Sequence, residues 1–326
     1  MPKQVKEEVT ASRGEGSKHL QHINQSIRDD VSRFGIKAIL FSDSERLYKM
    51  LVVIPFGVLF ALTALPLLAT FVTSLFGWYL GDPMGPKFIG FSNYSQMFSD
   101  PTFWNSIGKT AYQVIVTVSG QMVLGMSFAL LLSRKFRGVG LLRSLYIIPM
   151  MITPVIVGLL WRMLFNPSGG AINYFLSLVG IHGPNWLGDT RTAMPAIILT
   201  DLWFSTPFVG VILLAGILSI PTEIFEAARV DGASASKIFW NITLPLLRPM
   251  IFLSLLFRLM DAMKRFDSIY VMTGGGPGNS TETLDLHIYF ATFENLQVGY
   301  SAAMGCVLLV LIFGVSIVIL RKMENE

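Results

Sequence analysis

"EAARVDGASASKIFWNITLPLLRP", Glu226–Pro249, mixes acid, base, glycine and small residues between two of the most apolar stretches of the chain. Pro221 and Thr222 end the preceding apolar run. Glu223 and Glu226 then fall in the first turns of a new short helix, where carboxylates favour the positive end of the helix dipole. Ala227 and Ala228 are strong helix formers with almost no side-chain bulk. Gly232 predicts the stop, because glycine alone turns sharply there at little steric cost. A second short helix through Ile238 and Trp240 would lead to Leu244-Pro245. The pattern predicts helix, bend, helix, with small residues that let a partner's backbone approach closely. A self-packed connecting loop is the plainer reading of the same composition.

The surroundings fix the class. Of 326 residues 52% are hydrophobic and 14% charged, against about 25% charged in soluble domains. This is the composition of an integral membrane protein. A hydrocarbon core about 30 Å thick takes roughly 20 apolar residues in a helix. Six stretches qualify: 50–76, 110–133, 144–165, 192–222, 250–273 and 299–320. The first, second and last carry no charge, and the third only Arg162. The fourth holds Asp201, and the fifth holds Arg258, Asp261, Lys264, Arg265 and Asp267. The fold predicted is therefore all-α, with six transmembrane helices across residues 50–322 and a polar loop at 223–249.

Orientation follows from lysine and arginine, which favour the cytoplasmic side. With the N-terminus inside, nine fall before Met50, four at 134–143, three in the Glu226 segment and two at Arg321 and Lys322. The other side receives only Lys87, Lys109 and Arg191. Both termini and the Glu226 segment are expected in the cytoplasm. Residues 1–49 are too long, polar and acidic for a signal peptide. Leu20, Ile23, Ile27, Val31 and Phe34 mark one face of an amphipathic helix in that tail, suited to the membrane surface or to the protein's own cytoplasmic face.

Several chemistries are excluded. The single cysteine, Cys306, provides neither a disulfide framework nor a thiolate metal site. The four histidines are too scattered to suggest metal ligands, and no basic block with interleaved aromatics points to nucleic acid. "TGGGPGNST", Thr273–Thr281, superficially resembles a phosphate-cradling loop but lacks the lysine and the preceding strand. It reads as a turn cluster on the outer side, like "GDPMGP" at 81–86 and "NPSGG" at 166–170. No nucleophile elbow or other catalytic set occurs, so the chain is not expected to be an enzyme.

Glu226, Ala227, Ala228, Asp231, Gly232, Ala233, Phe239, Ile242, Leu244 and Pro245 resemble the EAA motif of importer permeases driven by ATP-binding cassettes. The likeness extends over nearly all of Met50–Leu320. "FIGFSNYSQMF" (Phe88–Phe98) resembles the family's first outer loop, and "FDSIYVMTGGGPGNSTETL" (Phe266–Leu284) resembles permeases of the maltose and glycerol-phosphate type. The resemblance implies the type I ABC importer architecture, in the bacterial inner membrane. It assigns ATPase coupling to Glu226, Ala227, Ala228, Asp231, Gly232, Ala233, Leu244 and Pro245. It also implies a second permease subunit, a cytoplasmic ATPase dimer that uses ATP and magnesium, and an extracytoplasmic solute-binding protein. No cofactor is expected on this chain itself, and the solute implied is a sugar, sugar alcohol or related polyhydroxylated compound. The alternative is an ion-coupled secondary transporter, in which Asp201 and Asp261 would be ion sites.

The intramembrane charges carry the remaining information. A charge at a helix centre costs about 2.5–3.5 kcal/mol on insertion scales, so it normally faces protein or a water-filled cavity. Arg258, Asp261 and Arg265 recur at i, i+3 and i+7, on one face of the fifth stretch. Counting about 1.5 Å per residue from the span ends places Asp201 and Asp261 at similar depths near the midplane. Asp201, Trp203, Phe204, Arg258 and Asp261 are therefore the candidates for a solute path, since charged groups hydrogen-bond hydroxyls and rings cover C–H faces. Structural alternatives are a local Arg258–Asp261 pair that offsets its own burial or contacts the second permease subunit, and aromatic rings that merely pack.

Overall fold

The computed structural model describes residues 44–324, so the amphipathic pattern in the N-terminal tail lies outside the described residues. The chain divides into two compact units, one ending at Leu68 and the other beginning at Ala69. The division falls inside α1, Ser44–Ser74, which carries no charge from Leu51 onward. Pro55 and Pro66 lie within it, as transmembrane helices tolerate where soluble ones do not.

The second unit opens with a short antiparallel pair, β1 (Phe76–Gly77) and β2 (Lys87–Phe88). Then come α2 (Ser92–Ser99) and the long α3 (Pro101–Leu132), which starts with Pro101 in its first turn and the Asp100 carboxylate accepting from the Thr102 N–H. α3 is a soluble amphipathic helix turned inside out. Ser106, Thr110, Gln113, Thr117 and Gln121, spaced three or four apart, form its buried stripe, while Ile115, Val123 and Leu131 are exposed. That arrangement suits a helix whose solvent is hydrocarbon. Ser106, Thr110 and Gln121 hydrogen-bond within the protein, whereas the Gln113 amide and the Thr117 hydroxyl have no partner among the described residues.

α7 (Ala193–Ser219) packs along α3. Gly125 sits so close to it that an added Cβ would lie 2.6 Å from Val209 Cγ1 and 3.1 Å from the Gly210 nitrogen. Small residues at such crossings let backbones approach closely in membranes, where dispersion rather than the hydrophobic effect holds helices together. Ala129, Val209, Leu213 and Leu247 continue this core towards the polar segment.

Two of the six expected spans are broken. The stretch 144–165 is not one helix: α4 (Val139–Ile147) runs on through a 3₁₀ turn, Ile148–Met151, and then turns by 98° into α5 (Pro154–Leu164). Pro154 holds Thr153 extended, as proline does to the residue before it. Likewise 250–273 divides into α11 (Arg248–Ala262) and α12 (Asp267–Thr273), parted at the charged run that ends with Arg265. α12 crosses α5 at Gly158, where an added Cβ would lie 3.2 Å from Ser268 Cα. A further helix, α6 (Ala171–Leu178), lies between α5 and α7. After α12 come α13 (Leu284–Tyr289), a π-helical turn at Phe290–Glu294, and α14 (Val298–Glu324). By length and apolarity four described helices qualify as membrane spans, or up to six if each bent pair counts as one.

The segment between α7 and α11 folds as its sequence predicts. α8 (Thr222–Val230) ends at Gly232 with φ +73°, and the Ala233 N–H donates to the Ala228 carbonyl at 2.9 Å. This is a glycine C-cap of the kind that needs a left-handed residue. α9 (Ala235–Ile238) then widens into a π-helical turn at Phe239–Thr243 and closes as α10 (Leu244–Leu246). Pro245 has no N–H and would crowd the carbonyl four residues back, and the wider turn before it accommodates the ring.

Candidate functional site

The structure brings the intramembrane charges together, and more tightly than a local pair. Asp201 on α7 is buried. Its Oδ1 lies 3.0 Å from an Arg265 Nη2 and accepts from the Ser205 hydroxyl at 2.9 Å. Its Oδ2 lies 3.7 Å from Arg258 Nη2. Asp261 Oδ2 accepts from both Arg258 Nη1 and Arg265 Nη2, each at 2.6 Å. Arg265 Nη2 also donates to Ser205 Oγ at 3.1 Å, and the guanidinium lies over the Phe204 ring, 5.4 Å from its centroid. From α3, Gln121 donates to the Asp201 carbonyl at 3.1 Å and accepts from Arg258 Nε at 2.8 Å. Asp201 from α7, Arg258 and Asp261 from α11 and Arg265 from the break between α11 and α12 thus interlock, with a glutamine and a serine tying them to the scaffold.

Burying charge is tolerable only when partners and hydrogen bonds offset the lost hydration. Here each arginine touches both acids, so every charge has two opposite neighbours. The four groups differ in access. Asp201, Arg258 and Arg265 side chains are 2%, 5% and 6% exposed, whereas Asp261 is 53% exposed. Asp261 faces a cavity of about 380 Å³ lined by Met150, Pro154, Phe204, Ser205, Phe208, Phe257 and both arginines. That volume lies within the range of about 300–1,000 Å³ common for small-molecule sites. The 98° turn before Pro154 delivers Met150 and Pro154 to one wall, an irregular backbone at a cavity as membrane proteins allow.

Of the residues picked from sequence, Asp201, Phe204, Arg258 and Asp261 converge here, and Trp203 does not. Its ring packs 5.7 Å from Trp161, in a separate apolar cleft of about 570 Å³ that also includes Phe128 and Tyr146. Helical geometry is the reason. At about 100° per residue, position i+2 from Asp201 faces away, while Phe204, Ser205 and Phe208 at i+3, i+4 and i+7 return to its face. Arg265, Gln121 and Ser205 were not among the sequence candidates. Arg265 was signalled by its i+7 spacing from Arg258. Gln121 was signalled by the polar stripe of α3, which recurs every three or four residues through an apolar span.

The coupling candidates remain at the surface. Glu226, Ala227, Asp231 and Gly232 are exposed, Ala233, Leu244 and Pro245 half-buried, and Ala228 buried. Ile224, Val230 and Trp240 expose apolar surface beside them, Val230 to 87%. The segment joins α7, which carries Asp201, directly to α11, which carries Arg258 and Asp261.

The turn cluster at 273–281 is anchored rather than loose. Thr281 Oγ1 donates to the Gly276 carbonyl at 2.9 Å, and the Lys109 ammonium donates to the Asn279 carbonyl. Beyond it, the Leu284 N–H donates to Thr110 Oγ1 at 2.8 Å. Nearby, burial pushes the Asp285 carboxyl above the usual carboxylate range, against the opposing effects of the Thr283 hydroxyl, the Leu286 N–H and the Arg265 charge.

Residues 121–321 match the family described as binding-protein-dependent transport system inner membrane component. The chain is 39% identical over 257 residues to the trehalose/maltose transport system permease protein MalF of Thermococcus litoralis, covering 79% of this chain and 86% of that one. It is 37% identical over 283 residues to the sulfoquinovosyl glycerol transport system permease protein SmoG of Agrobacterium fabrum, covering 86% and 92%. Among solved structures, a chain of a bacterial ABC transporter involved in the import of the acidic polysaccharide alginate superposes with a TM-score of 0.75. It is 22% identical, and the match covers 92% of this chain and 99% of that one, so the likeness is one of fold.

Proposed function

The chain belongs to the family of binding-protein-dependent transport system inner membrane components, and from that premise we propose that the cavity at Asp261 lies on the solute path and that residues 223–249 dock on the ATPase. The protein is a permease subunit of an ATP-driven importer of the inner membrane, a translocation component rather than an enzyme. In our reading residues 1–49 are a cytoplasmic tail and residues 50–322 form six spans, with both termini in the cytoplasm. ATP and magnesium act on a separate cytoplasmic ATPase dimer. A second permease subunit and an extracytoplasmic solute-binding protein complete the transporter. The solute is a sugar or related polyhydroxylated compound, in keeping with the glycosides for which both relatives are named. Those names cover an uncharged disaccharide and a sulfonated glycoside, so kinship leaves the solute's charge open.

One observation carries this reading: the two helices that carry Asp201, Arg258 and Asp261 are the two that the coupling segment joins. A displacement of α8–α10 by the ATPase is transmitted along α7 and α11 to Asp201, Arg258, Asp261 and Arg265. Asp201, Phe204, Arg258 and Asp261 would form the path wall, with Trp203 supporting it from the cleft behind. Glu226, Ala227, Ala228, Asp231, Gly232, Ala233, Leu244 and Pro245 would shape the docking surface. The test is the double variant Arg258→Met/Asp261→Leu, which removes one charge of each sign and leaves Asp201 paired with Arg265. It should assemble in normal yield and lose solute uptake at least tenfold. Wild-type uptake would reduce the cluster to a structural role.

A further inference from the structure

We infer that the cavity is built for an uncharged polyhydroxylated solute and against an anionic one. This rests on the solute-path reading above and adds the charge of the solute. Two arginines in a cavity wall suggest an anion site at first sight, and the contacts point the other way. Arg258 and Arg265 are matched by Asp201 and Asp261, so the four groups sum to zero formal charge. Each guanidinium is paired with both acids: Arg258 hydrogen-bonds Gln121 and Asp261 and lies 3.7 Å from Asp201, and Arg265 contacts Asp261, Asp201 and Ser205. The donors left without a hydrogen bond, Arg258 Nη2 and Arg265 Nε, are themselves buried rather than open to the cavity.

An entering anion would lose its hydration and could recover a cation only by displacing Asp261 from two contacts of 2.6 Å. The displaced carboxylate would then stand uncompensated beside the anion, and like charges at such range in a partly buried site repel strongly. A neutral polyol meets none of this. Asp261 Oδ2 carries both arginine contacts, while Oδ1 accepts no hydrogen bond among the described residues, on a side chain that is 53% exposed and lines the cavity. That oxygen is an open, charge-assisted acceptor for a sugar hydroxyl. Opposite it, Phe204, Phe208 and Phe257 offer ring surface to C–H faces. The selecting group is therefore Asp261: it is both the hydroxyl acceptor and the plug that keeps the arginines from an anion.

Saturation-transfer NMR on the purified transporter complex, without the binding protein, reports solute contact with the permease alone. Maltose and trehalose are the neutral probes, and glucuronate and sn-glycerol 3-phosphate the anionic ones. Wild type should transfer saturation to a neutral probe at least tenfold more than to either anion. Asp261→Asn, which leaves two guanidiniums against one carboxylate, should shift that ratio at least tenfold towards the anions, and Asp261→Glu should restore it. Equal or stronger transfer to an anion in wild type overturns the inference but leaves the path reading intact, as does an unchanged ratio in a folded Asp261→Asn complex. Transfer to no probe in wild type overturns the path reading and the inference with it.

Discussion

At the scale of single residues the molecule shows how costly charges are kept. Asp201 and Asp261 sit 60 positions apart yet share two arginines, so the pairing reaches across helices rather than staying a local Arg258–Asp261 contact. Asp285 is the contrasting case. Thr283 and the Leu286 N–H satisfy one of its oxygens, while Oδ2 is buried without a hydrogen-bond partner. Because burial raises its folded pKa above the ordinary carboxylate value of about 3.9, the folded chain holds that proton more tightly than the unfolded chain. Its stabilising contribution is complete below the unfolded pKa and is lost as pH rises through the folded value. Asp285→Asn should therefore raise the melting temperature at pH values above the folded pKa, by an amount that shrinks as pH falls through that value. A melting-temperature difference independent of pH would contradict this account.

At the scale of elements, two glycines do different work. Gly125 is a packing residue on α3. Leucine there should cost about 1–3 kcal/mol through overpacking against Val209 and Gly210. Gly108, on the same helix, has nothing within 4 Å of an added Cβ. Gly108→Leu should therefore melt like wild type while Gly125→Leu melts lower, and equal melting points would sink the close-approach argument. Gly232 is a conformational residue. It too has open space around an added Cβ, but its φ of +73° lies outside the range of proline. Gly232→Pro should unmake the bend between α8 and α9 and lower uptake more than tenfold, with membrane insertion intact by fractionation. Gly232→Ala strains φ by only about 1–2 kcal/mol and should retain part of the uptake. Normal uptake in the proline variant would remove the coupling role from the bend.

At the scale of the whole molecule, the proposed topology makes a prediction that involves no site. Reporter fusions at Asn93, Gly183 and Gly278 should read outside, and those at Gly138 and Ser234 inside. Ser234 is the decisive position, because it lies in the segment proposed to meet the ATPase. An outside reading there would refute both the orientation and the coupling. The two bent pairs matter at this scale as well. They are Val139–Met151 with Pro154–Leu164 and Ala235–Leu246 with Arg248–Ala262, so span counting by hydropathy counts chain crossings rather than straight helices; the break inside 250–273, between α11 and α12, is a separate one.

The sequence by itself determined the class, the family resemblance and the local shape of Glu226–Pro249. Those properties reside in runs of adjacent residues: apolar length, small residues at helical spacing, a glycine where the chain must reverse. Counting along the chain also predicts similar depths for Asp201 and Asp261, because rise per residue is a local quantity. The sequence could not assemble the cluster. Gln121 lies 137 positions from Arg258, and its partnership depends on how α3 crosses α7 and α11, which no periodicity within one helix encodes. Trp203 lies apart for a different and local reason: at i+2 from Asp201 it faces the other side of α7, as helical periodicity alone dictates. The tertiary structure alone decided that the arginines are already neutralised and that Asp261 keeps an open oxygen, because burial and charge compensation are properties of neighbours in space.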